Sequence, residues 1–132
     1  MKQFGVVAAL ALLVSSGVAY AQGDVAKGEK IFKKCKACHA VGENAKNKVG
    51  PTLNGVVDAG WGEVAGYKYS KPLLAGKEEG KSWDAATLDA YLTKPKNVIP
   101  KGKMAFAGLR KEDQRQDVIA YLAQFNKDGS TK

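Results

Sequence analysis

Cys35-Lys36-Ala37-Cys38-His39 places two thiols three positions apart with an imidazole directly after them, the C-x-x-C-H spacing of covalent haem attachment. Each cysteine can add across a vinyl group of the porphyrin to form a thioether. The histidine next to them is placed to coordinate the iron from one face. The same residues have other uses. A thioredoxin-like dithiol needs a preceding strand and a βαβ setting, whereas the flanks here read as helix. A structural zinc site needs a fourth ligand, normally from a second Cys/His cluster, and the sequence has none. A Cys35–Cys38 disulfide would close too short a loop to constrain much.

The partner of His39 on the opposite face follows largely by elimination. The chain has one histidine, so a second imidazole is excluded, and its two methionines are Met1 and Met104. Met1 belongs to a leader, which leaves Met104 as the available thioether. A methionine can instead fill a gap in a core, but the sequence around Met104 is polar and turn-rich rather than a helical stripe. His/Met ligation raises a haem's reduction potential relative to two imidazoles and fills both axial positions. That points to electron transfer rather than bond-making, and so to a carrier rather than an enzyme. The alternative, a haem peroxidase or gas-binding sensor, requires a labile sixth ligand.

Met1-Lys2 forms a short positive n-region, Val6 to Val14 is an almost unbroken apolar run, and Ala19-Tyr20-Ala21 is a small-x-small cleavage signal. Residues 1–21 therefore read as a cleaved secretory signal peptide, and the apolar run is too short for a bilayer span of ~20 residues. The mature chain, residues 22–132, suits one compact domain. Its expected location is the periplasm, without stable membrane insertion. Losing Lys2 leaves 20 Lys+Arg against 13 Asp+Glu, a surplus of +7. Two haem propionates would reduce that surplus without abolishing it.

The elements that must position these groups are helical. Asp24 can cap a helix whose apolar positions include Val25, Ile31 and Phe32, with Gly28 on or near that face, leading straight into the pentapeptide. Residues 40–82 are rich in Gly, Asn and Pro and read as loops with short helical turns, which a haem could give a core. Ser82 or Asp84 can cap a second helix through Leu88, Tyr91 and Leu92, ending before Pro95. Residues 94–108 read as a loop carrying Met104. A final helix over about 111–125 presents Val118, Ile119, Leu122 and Phe125 as a stripe, with Gly129 beyond its end. The fold class is all-α.

In order along the chain, Gly23-Asp24-Val25, Gly28, Ile31-Phe32, the pentapeptide, Gly50-Pro51-Thr52-Leu53-Asn54-Gly55 and Gly66-Tyr67-Lys68-Tyr69-Ser70 form one set of blocks. Trp83, Tyr91-Leu92, Pro95-Lys96, Ile99-Pro100, Lys103 to Gly108 and Asp117 to Leu122 complete it. Nearly the whole mature chain thereby resembles the class I c-type cytochromes, closest to the bacterial cytochrome c2 and mitochondrial cytochrome c group. The resemblance implies a small cytochrome c fold in which the first and last helices cross, here with Gly28 and Phe32 against Val118 and Tyr121. It implies one covalently bound haem c, with Pro51 accepting a hydrogen bond from His39. It further implies Tyr69 and Trp83 at a propionate and Tyr91 beside the Met104 sulfur.

Two positions depart from that pattern. Where many members carry Gly-Arg after the GPxLxG segment, with the arginine at a propionate, this chain has Asp58-Ala59. Where a threonine often precedes the ligand methionine by two residues, it has Gly102. Fewer positive or donor partners for a carboxylate stabilise ferric iron, so a potential below that of relatives with the full set is expected. The resemblance also gives the basic surplus a purpose, since family lysines ring the exposed haem edge. The matching positions are Lys34, Lys46, Lys48, Lys96, Lys103, Arg110 and Lys111. Charge steering would bring them to acidic docking faces of redox partners such as a bc1 complex, terminal oxidase, photosynthetic reaction centre or periplasmic dehydrogenase. No nucleic-acid-reading motif accompanies the basic charge. The expected form is a soluble monomer.

Overall fold

The computed structural model describes Gly5 and residues 23–132, so the leader and its cleavage site lie outside the described residues. Among the described residues there are five helices, two isolated antiparallel bridges (Gly60 with Ser82, Phe125 with Thr131) and no strand. None of these helices is long and apolar enough to cross a membrane.

Helix α1, Val25–Phe32, starts where Asp24 accepts the Lys27 N–H at 2.9 Å, which satisfies one of the unpaired donors of a first turn. It packs on α5, Glu112–Ala123, whose first turn carries Glu112 and Asp113 at the favourable end of the helix dipole. The approach is close because the contact is built on glycine. A Cβ at Gly28 would overlap the Asp117 carbonyl, and one at Gly23 would overlap that of Gln116. Phe32 then reaches Tyr121 with ring centroids 5.4 Å apart, and the Asp117 carboxylate accepts the Asp24 N–H at 2.8 Å. Helix α5 ends at Ala123, two residues short of Phe125. That residue is buried in the turn that follows, and its carbonyl accepts the Gly55 N–H.

Helix α3, Ala85–Thr93, is capped by Asp84, which accepts the Thr87 N–H at 2.7 Å. It buries Leu88 and Leu92 and is tied to α5 by Asp89–Arg115 at 2.8 Å. Two short elements fall in stretches that read as loop. Helix α2, Lys71–Glu78, is capped by Ser70 and carries Pro72 in its first turn, where the missing N–H costs nothing. Helix α4, Pro95–Val98, is a single turn opened by Pro95. Phe32, Trp61, Trp83, Leu88, Ile99, Val118, Ile119 and Leu122 belong to one core, from which Trp83 and Ile99 reach the walls of two adjoining cavities.

Candidate cofactor site

Both cysteines and His39 sit in the turn that continues α1. The Cys35 N–H bonds the Phe32 carbonyl, and the Cys38 and His39 N–H groups both bond the Cys35 carbonyl. The thiols are half-buried and unbonded to each other, and burial pushes the Cys35 thiol up, against the pull of Lys34. His39 is half-buried, and desolvation lowers its pKa despite the opposing Pro51 carbonyl. Its Nδ1–H donates to the Pro51 carbonyl at 2.7 Å; because a carbonyl only accepts, the proton belongs on Nδ1. That leaves Nε2 with its lone pair for a metal, in the orientation a hydrogen-bonded ligand histidine needs.

The ring rests on Gly50, a buried glycine where any Cβ would overlap the imidazole. Gly50 is itself pinned, its N–H to the Cys38 carbonyl and its carbonyl accepting from Lys48. Asn54 closes the same loop by exchanging two hydrogen bonds with the Gly42 backbone, at 2.9 and 2.8 Å.

Met104 approaches from the loop between α4 and α5. Tyr91 Oη, half-buried on α3, donates to its Sδ at 3.4 Å, and burial pushes the phenol up to about 12, so the proton stays on oxygen. Cys35, Cys38, His39 and Met104 together line one cavity of about 180 Å³, with Tyr67 and Phe106 on its wall. His39, Tyr69, Leu73 and Tyr91 also line the adjoining cavity of about 750 Å³, whose wall includes Pro51, Ala59 and Trp83. That volume lies within the ~300–1,000 Å³ usual for cofactor pockets. A porphyrin fits this donor set: two thiols for tethering, one available imidazole nitrogen, one thioether, and an apolar wall between them.

Among the other residues expected at the site, Tyr69 Oη accepts the Val64 N–H at 3.0 Å and keeps its own proton for a further partner. Burial raises its pKa. Trp83 is buried at the wall, its rings stacked on Trp61 at 4.6 Å and tilted against Tyr91 at 4.9 Å. Ala59 lines the larger cavity, while Asp58 is exposed, adopts a left-handed conformation (φ 66°) and is not on that wall. Gly102 lines the smaller cavity with its Cα against Ile99, where a Cβ would lie 3.0 Å from Cγ2.

Lys34, Lys46, Lys48, Lys96, Lys103, Arg110 and Lys111 are all exposed. Lys34 and Lys103 border the smaller cavity; the others do not line it. Lys48 Nζ donates to the Lys36 carbonyl at 2.8 Å, while Lys103 Nζ donates to the Lys68 carbonyl and lies 5.1 Å from the Tyr67 ring centroid. The ion pairs among the described residues, Glu79–Lys81, Asp89–Arg115 and Glu63–Lys127, use none of the seven.

Trp61 has no role in the sequence reading. It is the largest fully buried side chain among the described residues, held between Trp83 and Gly76 of α2, where a Cβ would overlap its ring. Its Nε1–H is buried without a partner among the described residues. The only local signal was a tryptophan flanked by glycines, Gly60-Trp61-Gly62, in a stretch that reads as loop.

Residues 25–126 match the family described as Cytochrome c. Cytochrome c2 of Rhodomicrobium vannielii is 49% identical over 123 residues, covering 93% of this chain and 96% of its own. Cytochrome c-554 of Methylosinus trichosporium is 46% identical over 125 residues, covering 95% and 92%. The solved structure of cytochrome c2 from Rhodospirillum centenum superposes with a TM-score of 0.74 at 43% identity, covering 79% of this chain and 99% of that one.

Proposed function

This chain belongs to the cytochrome c family, and from that premise we propose which residues make it a carrier and where it works. It is an electron carrier with one covalently bound haem c, not an enzyme. In our reading Cys35 and Cys38 would hold the haem through thioethers, and His39 and Met104 would ligate its iron. The bound haem supplies a one-electron change at iron. The chain's own residues orient and exclude: Pro51 fixes the His39 tautomer, Gly50 gives the ring its seat, and Tyr91 orients the Met104 sulfur while Trp83 and Phe106 keep water from the wall.

The observation that carries this reading is the shared cavity. The one histidine and the one methionine of the described chain line it together with both cysteines. The test is an absorption spectrum of the purified mature protein. A low-spin ferric form with the thioether charge-transfer band, and a ferrous form indifferent to carbon monoxide, are expected. Ready carbon monoxide binding at neutral pH would instead mark a labile sixth position and overturn the ligand assignment.

Residues 1–21 act, on this reading, as a cleaved export signal that delivers a soluble periplasmic monomer, which mass spectrometry of the secreted chain tests by its N-terminus. The seven exposed cations Lys34, Lys46, Lys48, Lys96, Lys103, Arg110 and Lys111 form the docking ring for acidic faces of redox complexes. None of them is neutralised by an ion pair among the described residues, so their field reaches solution. Reduction by such a partner slows as salt rises; a salt-independent rate would remove the ring's role.

A further inference from the structure

Two lysines line the larger cavity, and neither the family resemblance nor the basic ring gives them a role. Lys77 reaches it from α2 and Lys127 from the tail beyond α5, and both line it together with Ala59. Each lies over a glycine in the left-handed region. Lys77 Nζ donates to the carbonyl of Gly62 (φ 74°) at 3.3 Å, and a Cβ on that glycine would stand 3.1 Å from the Lys77 stem. A Cβ on Gly55 (φ 68°) would stand 2.7 Å from Lys127 Cγ. The two glycines thus admit the two lysine stems to the wall.

Among the described residues, the only carboxylate on the same wall is Glu63, 3.6 Å from Lys127 Nζ. The other titratable side chains there, His39, Tyr69 and Tyr91, are not anionic at neutral pH. Glu63 offsets Lys127, so the wall keeps a surplus of one positive charge, carried by Lys77, in a chamber that also holds the alanine standing where many relatives carry arginine. A positive wall beside an apolar chamber suits a flat apolar ligand that ends in carboxylates, and haem c ends in two.

We propose that Lys77 supplies most of the positive field for the haem propionates that an arginine at position 59 would otherwise supply, and that Lys127 cancels the Glu63 carboxylate on the same wall. The inference rests on the haem c reading above. It also changes the meaning of Asp58-Ala59: the counter-charge is relocated from the loop to α2. Both heads are exposed, so the interaction is through water and screened by salt rather than a buried ion pair.

The experiment is a spectroelectrochemical titration of the holoprotein at low salt. Lys77→Gln and Lys127→Gln are compared with Lys30→Gln, which removes an equal charge from exposed α1 away from the cavity. Each cavity variant is expected to lower the midpoint potential more than Lys30→Gln does, the double variant more than either, and Lys→Arg at each site to restore it. Ala59→Arg should raise the potential further in the double variant than in the natural chain, because all three act on the same carboxylates. Shifts no larger than that of Lys30→Gln, or an Ala59→Arg effect equal in both backgrounds, overturn the proposal while the His/Met spectrum still stands. Loss of the thioether band in the natural chain overturns the haem reading, and this inference with it.

Discussion

Around His39 the backbone does the holding, whereas around Met104 side chains do. The Cys35–His39 turn grows directly out of α1, and main-chain bonds run from Cys38 to Gly50 and from Ala40 to Leu53, with Pro51 bonded to the ring. In the Met104 loop the backbone contributes a Gly102–Ile99 bond at one end and a Leu109–Leu92 bond at the other. Between them Met104 is located by the Tyr91 hydroxyl and, through its neighbour, by Lys103 on the Lys68 carbonyl. The difference teaches that one proposed ligand is part of the folded scaffold and the other is presented by a strap. Damage to the first should cost the fold; damage to the second should cost the ligand and spare the fold.

The hardest way to break that contrast is Gly50→Ala. The added methyl overlaps the imidazole, and the ring cannot move without giving up Pro51. A loss of at least the ~1–3 kcal/mol of an overpacked site is expected, together with a sharp fall in coloured protein, read by thermal melting and haem yield. If Gly50→Ala melts like the natural protein with an unchanged spectrum, the scaffold argument fails. Met104→Ala comes next. It should keep its covalent haem and most of its melting temperature, lose the thioether band, bind carbon monoxide and fall in potential; an identical spectrum would remove Met104 from the iron.

Tyr91→Phe sharpens the comparison further. It deletes one hydrogen bond to sulfur, about 1 kcal/mol, so added imidazole should displace the sixth ligand at roughly fivefold lower concentration with little change in melting. An unaltered imidazole titration would show that the hydroxyl does not steady Met104. Asp84→Ala should have the smallest effect, toward the lower end of the ~0.5–2 kcal/mol of an N-cap, and none on the spectrum. The Thr87 backbone N–H, then its side chain, hold the Asp84 carboxyl below the usual range. Its stabilisation is therefore complete above the ordinary carboxylate pKa and disappears as pH falls through the lowered folded value. The gap between natural and variant proteins should close in acid; a gap that persists there would mean the cap does not act through its charge.

The helices and the proposed ligands were legible in the sequence to different depths. Asp24 announced α1, Ser82 or Asp84 announced α3 with Asp84 the actual cap, and the Val118, Ile119, Leu122 stripe announced α5, because caps and burial leave local patterns. Helix α2 left only a start, Ser70 and Pro72; beyond it Lys71 to Glu78 holds a glycine and a short apolar pair, too little to read as a helix. Gly76 is there for the Trp61 ring, a tertiary reason that no window of sequence displays. Phe125 fitted the α5 stripe by spacing, yet it lies past the helix end, where its carbonyl is taken by Gly55. At the site, Cys35, Cys38, His39 and Met104 could be named from scarcity and spacing. Trp61, Lys77 and Lys127 could not, since what matters about them is which glycine each one lies against.

Beside the glycine contact between α1 and α5, a hydrogen bond ties together residues 93 positions apart, Asp24 and Asp117. An eight-residue helix is too short to persist by itself in water, so α1 survives only while α5 covers it. A protease that nicks the chain anywhere between them leaves two pieces that must stay clasped or both unravel. Trimming the downstream helix would therefore loosen the pigment tether at the other extremity, although no cut falls near it.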